Sequence, residues 1–290
     1  MLTSLARQCA RLAPRHQRLA RAAFSSTIGS DELLVSFSDN DTVATLTLNR
    51  PKARNALSNG LVGDIRRTLA ELREKEDLRA VLLKASGNVF CGGGDLKDMI
   101  ASGKDTPEQN LENAVNFAEF LGDINTFPRP VVAIVEGPAY GGGVGLISVC
   151  DMAFGLESTS FTLSEVKLGL IPATISPYVV GRIGEFNARR YFMTAELFPA
   201  EEAQRIGLLH GVAKDDEELA GIEASLRKAF KTNSPAGVSA SKKLIASVAN
   251  KVGRRRCRMY IPCTSMPCLI AISRNCIATS TARGLITRIQ

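Results

Sequence analysis

Two runs of three glycines constrain this chain more than any other feature: Gly92-Gly93-Gly94 in FCGGGD, and Gly141-Gly142-Gly143 in AYGGGVG. Each follows strand-like sequence and leads into a helix, so bare backbone stands where side chains would otherwise project. Glycine lets a ligand come close to the main chain, and the first amides of the following helix point outward without partners. Such amides suit a developing negative charge, and two turns of this kind brought together build an oxyanion hole. Taken singly, they are also what tight turns and close crossings look like. A dinucleotide fingerprint competes, but GGGVGLIS lacks the third glycine in register, and no Walker phosphate loop occurs.

The intervening segments alternate in type. Residues 33–37 (LLVSF) and 43–48 (VATLTL) predict two strands joined by a turn at DNDT, 39–42. Ser58 predicts the cap of a helix that carries Leu61, Ile65, Leu69 and Leu72 on one face, with Leu57 and Val62 as a hydrophobic staple. AVLL at 80–83 predicts a buried strand, and Thr106-Pro107-Glu108-Gln109 a capping box that opens a helix through Leu111, Val115, Ala118 and Leu121. Residues 131–135 and 152–156 predict further strands, and 200–250 a helical stretch in which Gly207 closes one helix and Ser234-Pro235 opens another. Strands alternating with helices give an α/β architecture with mostly parallel pairing. No apolar run reaches the roughly 18 residues a membrane span needs. The richest, 131–149, is interrupted by Glu136, Pro138 and glycines, so no membrane partner is expected.

Charge separates the ends from the middle. The net charge is +7, yet residues 1–30 hold five arginines and no acid, and residues 251–290 hold Lys251 and seven arginines, again with no acid. All 29 acidic residues lie between, which leaves residues 31–250 net negative. An acidic body argues against a phosphate-tracking surface and so against a nucleic-acid partner. Residues 1–27, arginine-rich and ending in Ser-Ser-Thr, have the composition of a mitochondrial transit peptide, which implies the matrix as the destination. The expected organisation is that leader, a core at 28–205, a helical region at 206–250 and an atypical, disordered tail at 251–290, where neither helical nor strand periodicity is visible.

Few residues are left for metal or imidazole chemistry. Beyond the leader only His210 remains, and at the start of a strand-like segment it reads as structural. The cysteines of the body are Cys91 and Cys150, and the four after residue 250 lack paired metal-ligand spacing, so no metal site is expected. Acid/base work therefore falls to carboxylates.

The phrases LNRPKARNAL (48–57), FCGGGDL (90–96), EGPAYGGGVGL (136–146), CDMAF (150–154) and FTLSEVKLGLIP (161–172) stand in the order and spacing of the crotonase, or enoyl-CoA hydratase/isomerase, superfamily, which the chain resembles from residue 33 to about 250. Through GGGVGL and SEVKLGLIPATISPYV it is most similar to 3-methylglutaconyl-CoA hydratases. The resemblance implies a ClpP/crotonase-like spiral of ββα units with a helical C-terminal region, assembled as a homotrimer or homohexamer. It implies an acyl-CoA substrate and no separate cofactor, coenzyme A being part of the substrate. Gly94 and Gly142 would supply the oxyanion amides, with Gly92, Gly93, Gly141 and Gly145 around them. Asp95 would begin the next helix, Lys52, Ala53 and Arg54 would meet the coenzyme, and Glu165 would be the acid/base group. Hydratases of the family carry a second glutamate where this chain has Gly145. Either Glu165 serves both proton transfers, or Glu112 or Glu119 moves in, or the chain is a one-glutamate isomerase or a catalytically silent acyl-CoA-binding protein. A decarboxylase or thioesterase on the same scaffold also stays open.

Overall fold

The computed structural model describes residues 28–257, with side chains through 249. The leader expected at 1–27 and the tail residues 258–290 lie outside the described residues.

The chain opens with a hairpin of β1 (Leu33–Ser38) and β2 (Val43–Leu48), paired antiparallel. Its turn holds Asp39, Asn40 and Asp41 at positive φ of 56°, 58° and 63°, a conformation that Asn and Asp reach most readily among residues with side chains. The helix α1 (Asn59–Arg73) follows, its first turn capped by the Ser58 hydroxyl, which accepts from Leu61 N at 3.2 Å. All four residues of the expected stripe, Leu61, Ile65, Leu69 and Leu72, are buried.

Strands β3 (Ala80–Ala85), β4 (Val131–Val135), β6 (Met152–Leu156) and β9 (Gly211–Ala213) extend the sheet in parallel, in the order β1-β2-β3-β4-β6-β9. In the central strand β4 every residue is buried, and successive residues serve opposite faces. Val131, Ala133 and Val135 join the main core with α1, while Val132 and Ile134 join a smaller core completed by Leu219 and Phe230 of α7 (Asp216–Thr232). A second sheet pairs β5 (Ala139–Tyr140), β7 (Ser160–Thr162) and β8 (Phe198–Pro199) in the order β5-β7-β8.

Helix α3 (Pro107–Asn125) has the capping box that its first residues predict: Gln109 N donates to Thr106 Oγ1 at 3.3 Å, and Thr106 N to Gln109 Oε1 at 2.8 Å. Only its second half is deeply buried, at Phe120, Leu121 and Ile124, while Leu111, Val115 and Ala118 are half-buried. The helix α5 (Ser176–Thr194) breaks at Gly184 (φ 74°), and α6 (Ala200–Arg205) is closed by Gly207 (φ 86°). The last helix, α8 (Pro235–Cys257), continues past the boundary at 250 that the composition suggests. His210 lies at the end of the sheet, its amide donating to Ala153 O at 2.8 Å and its Nδ1 accepting from Ala153 N at 3.2 Å.

Candidate active site

The two glycine turns meet. At Gly93 (φ 95°) a β-carbon would lie 2.9 Å from Tyr140 O and 3.5 Å from Gly142 N. At Gly143 it would lie 2.6 Å from Cys91 O. Both distances to oxygen are shorter than real β-carbon contacts, so these two glycines are required by close packing of backbone on backbone. Main-chain hydrogen bonds sew the contact: Phe90 N donates to Pro138 O at 3.0 Å and Tyr140 N to Cys91 O at 2.9 Å, while Gly141 N ties the second turn to β7 by donating to Thr162 O at 2.8 Å.

A third segment threads the first turn. Leu57 N donates to Gly93 O at 2.8 Å, Asp95 N to Leu57 O at 3.3 Å and Gly92 N to Arg54 O at 2.7 Å. Leu57 thereby forms an isolated parallel bridge with Gly94. Since Asp95 N points at Leu57, the preceding amide, that of Gly94, points the other way. Gly142 is the first residue of α4 (Gly142–Val149), where amides have no intrahelical acceptor. Among the described residues neither the Gly94 nor the Gly142 amide donates a hydrogen bond. Two free donors thus stand on adjoining turns.

The loop that carries Lys52, Ala53 and Arg54 is an exposed 3-10 turn, Pro51–Ala53, followed by Arg54 and Asn55 at positive φ of 54° and 52°. Sequence reasoning missed what fixes it. Asn55 is fully buried: its side-chain oxygen accepts from Arg50 N at 2.8 Å, and its amide donates to Ser86 O at 2.8 Å and Val89 O at 2.7 Å. Arg50 pairs with Glu32 and with Asp95, each at 2.9 Å, and also donates to Ala56 O at 2.6 Å. Asp95 caps α2 (Leu96–Ser102), accepting from Lys97 N at 2.9 Å. Burial alone would raise the Asp95 carboxyl, but hydrogen bonds from Arg50 and Lys97 N and the Arg50 charge outweigh it and hold its pKa below the usual value. Asp95 is therefore a fixed anion that ties the turn to α2, rather than a proton carrier. Removing the Asn55 side chain strands two carbonyls and an amide, each worth about 1–3 kcal/mol when buried. Asn55→Ala should accordingly lower the unfolding free energy in urea by about 2–4 kcal/mol, and an unchanged midpoint would show that the loop holds without it.

Glu165 opens a 3-10 turn, Glu165–Leu168, separated from the end of β7 by two residues. Its carboxylate faces Gly141, whose β-carbon would lie 3.0 Å from Glu165 Oε1. Glu165 Oε2 is buried and accepts no hydrogen bond among the described residues. Burial raises the carboxyl pKa above its ordinary value, only partly offset by a hydrogen bond to its own backbone amide. A carboxylate beside free amides, largely desolvated and with one oxygen unpartnered, is the arrangement expected of a proton carrier.

Gly145 stands one helical turn beyond Gly141 on α4, inward and buried, and it meets Ile175: a β-carbon there would lie 2.2 Å from Ile175 Cγ2 and 2.7 Å from Ile175 Cβ. The alternative carboxylates do not join Glu165. Glu119 pairs with Arg66 of α1 at 3.1 Å, and Glu112 is exposed on α3. From α2, Met99 reaches the site, its Sδ 3.3 Å from the β-carbon position of Gly94, and Leu96 and Ile100 of the same helix are exposed.

Comparison with known proteins identifies the family. Residues 38–259 match the family described as Enoyl-CoA hydratase/isomerase. An Alternaria alternata protein, Enoyl-CoA hydratase ACTT6, is 33% identical over 71% of this chain and 67% of its own length. A second from that organism, Enoyl-CoA hydratase AFT6-1, is 36% identical over 62% of this chain and 59% of its own length, so the aligned part spans about three fifths of that relative. Among solved structures, an enoyl-CoA hydratase from Shewanella pealeana superposes with a TM-score of 0.72 at 32% identity, covering 87% of this chain and 89% of that one.

Proposed function

Since the chain belongs to the enoyl-CoA hydratase/isomerase family, we propose that it adds water to an enoyl-CoA thioester, with the amides of Gly94 and Gly142 receiving the thioester oxygen and Glu165 alone carrying the proton. The observation that carries this reading is the desolvated Glu165 carboxylate, unpaired at Oε2 and seated against the glycine that precedes the second free amide. Glu165 takes a proton from water as the water oxygen bonds to the β-carbon. The double-bond electrons move to the thioester oxygen as an enolate, which the two amides stabilise. The enolate then collapses and takes at its α-carbon the proton that Glu165 holds, so one carboxylate closes the balance and both additions come from one face.

A branched or carboxylated substrate of the 3-methylglutaconyl-CoA kind is proposed from GGGVGL and SEVKLGLIPATISPYV, with the coenzyme along Lys52–Arg54 and no further cofactor. Exposed Phe186, Met193 and Leu197, at and just beyond α5, support assembly as a trimer or hexamer. The arginine-rich first 27 residues support import into the mitochondrial matrix, and relatives from Homo sapiens and Dictyostelium discoideum carry mitochondrial in their names. Double-bond isomerisation is the second reading, favoured by Gly145, because shifting a double bond needs one base only.

Incubation with a panel of enoyl-CoAs in ¹⁸O-labelled water, followed by mass detection, separates the possibilities. A labelled adduct supports hydration, an unlabelled isomer supports the second reading, and CO₂ loss or no change across the panel overturns both. The rate of hydration should fall as pH drops through the Glu165 pKa, because the base must be ionised. That acid limb should lie above the usual carboxylate value and vanish in Glu165→Gln. A limb at the ordinary glutamate value would contradict a desolvated base.

A further inference from the structure

Gly141 caps α4 and Gly145 lies one turn inside it, its amide donating to Gly141 O at 3.2 Å. The structure puts different chemistry against each. The β-carbon position of Gly141 meets a carboxylate oxygen, that of Glu165, at 3.0 Å. That of Gly145 meets hydrocarbon, Ile175, at 2.2 Å. No side chain fits at 145 while Ile175 stays in place, since even alanine would overlap it. Ile175 cannot easily turn away. It is 2% exposed, directly precedes α5, and its carbonyl accepts from Tyr178 N at 3.1 Å and Val179 N at 3.0 Å. A β-branched side chain in a full core also has little rotamer freedom.

We infer that Ile175 is a specificity-determining residue of this site: by filling the space beside Gly145, it leaves no room for a second carboxylate there and restricts the acid/base machinery to Glu165. Gly145 and Ile175 are then a matched pair, and neither position is free to change alone. The inference rests on the reading of Glu165 as the base, and the test keeps the two apart.

The steric half is read from stability. Gly145→Ala should lower Tm strongly, and Ile175→Gly should relieve that loss, so that the pair couples in a double-mutant cycle. The chemical half is read as a ratio. Glu165-dependent exchange of the α-proton of a saturated acyl-CoA in D₂O reports the base, and formation of a water adduct reports hydration. Gly145→Glu combined with Ile175→Gly should raise the ratio of hydration to exchange by roughly tenfold or more over the unaltered chain, because a second carboxylate then has room to activate water. A wild-type Tm for Gly145→Ala alone would overturn the proposal. So would a folded double variant with an unchanged ratio, or one that fails to fold, since Ile175 is held to be what fills that space. Absence of α-proton exchange in the unaltered chain would instead overturn the role of Glu165, leaving the stability cycle to judge the matched pair.

Discussion

Glu165→Gln is expected to lower kcat by roughly 10²- to 10⁴-fold while acyl-CoA binding changes by no more than a few-fold. The amide keeps the volume of the carboxyl beside Gly141 but can neither take a proton from water nor return one to the α-carbon. The stability of the variant should move the other way. Burial raises the folded-state pKa of Glu165, so the folded chain holds this proton more tightly than the unfolded chain does. Its stability therefore declines as pH rises from the unfolded to the folded pKa, and above that window the full cost of a desolvated charge is present. The neutral glutamine does not carry that cost. At neutral pH the Tm of Glu165→Gln should equal or exceed that of the unaltered chain, with the gain shrinking as pH falls through the window. Steady-state kinetics, acyl-CoA titration and thermal unfolding across pH test the three parts together. Retained turnover would remove Glu165 from the mechanism, and a loss of stability at neutral pH would mean that its carboxylate is held by bonds the glutamine cannot make.

What the sequence disclosed and what it withheld divide along the range of the interactions. The strands at 33–38, 43–48, 80–85 and 131–135, the Ser58 cap and the Thr106–Gln109 capping box are each written within a few consecutive residues, and each stands where the pattern predicts. The individual strands of the second sheet left no local signal, because β5 is only Ala139–Tyr140 and β8 only Phe198–Pro199, too short to show a period of two. Asn55 reads in sequence as one more polar loop residue. Its importance lies in the carbonyls of Ser86 and Val89, about thirty residues away, which only the folded backbone brings to it. The absence of a side chain at 145 was legible. Its reason was not, because Ile175 reaches that position from a different segment, just ahead of α5. The glycine turns announced free backbone, but which amides stay free depended on the Leu57 bridge consuming that of Asp95 and on where α4 begins.

The amide of Gly142 is the other place where a single atom is expected to decide the rate. Gly142→Pro deletes the donor outright, and loss of one oxyanion donor typically lowers kcat by roughly 10²- to 10³-fold. Position and contacts favour folding of the variant. Gly142 is the first residue of α4, where proline's missing amide breaks no helical bond and its fixed φ suits the helix. A β-carbon there meets Leu57 Cδ1 at 3.5 Å, an ordinary contact. The preceding Gly141, at φ 48° and ψ −114°, already lies outside the α region that a following proline disfavours. Gly142→Ala supplies the control, because it adds the same β-carbon and keeps the amide, so it should retain most of the activity that proline removes. Circular dichroism and thermal unfolding establish that both variants are folded before rates are compared. Equal loss in the two would assign the effect to crowding of Leu57 and Gly93, and near-normal turnover in folded Gly142→Pro would show that the enolate oxygen is received elsewhere.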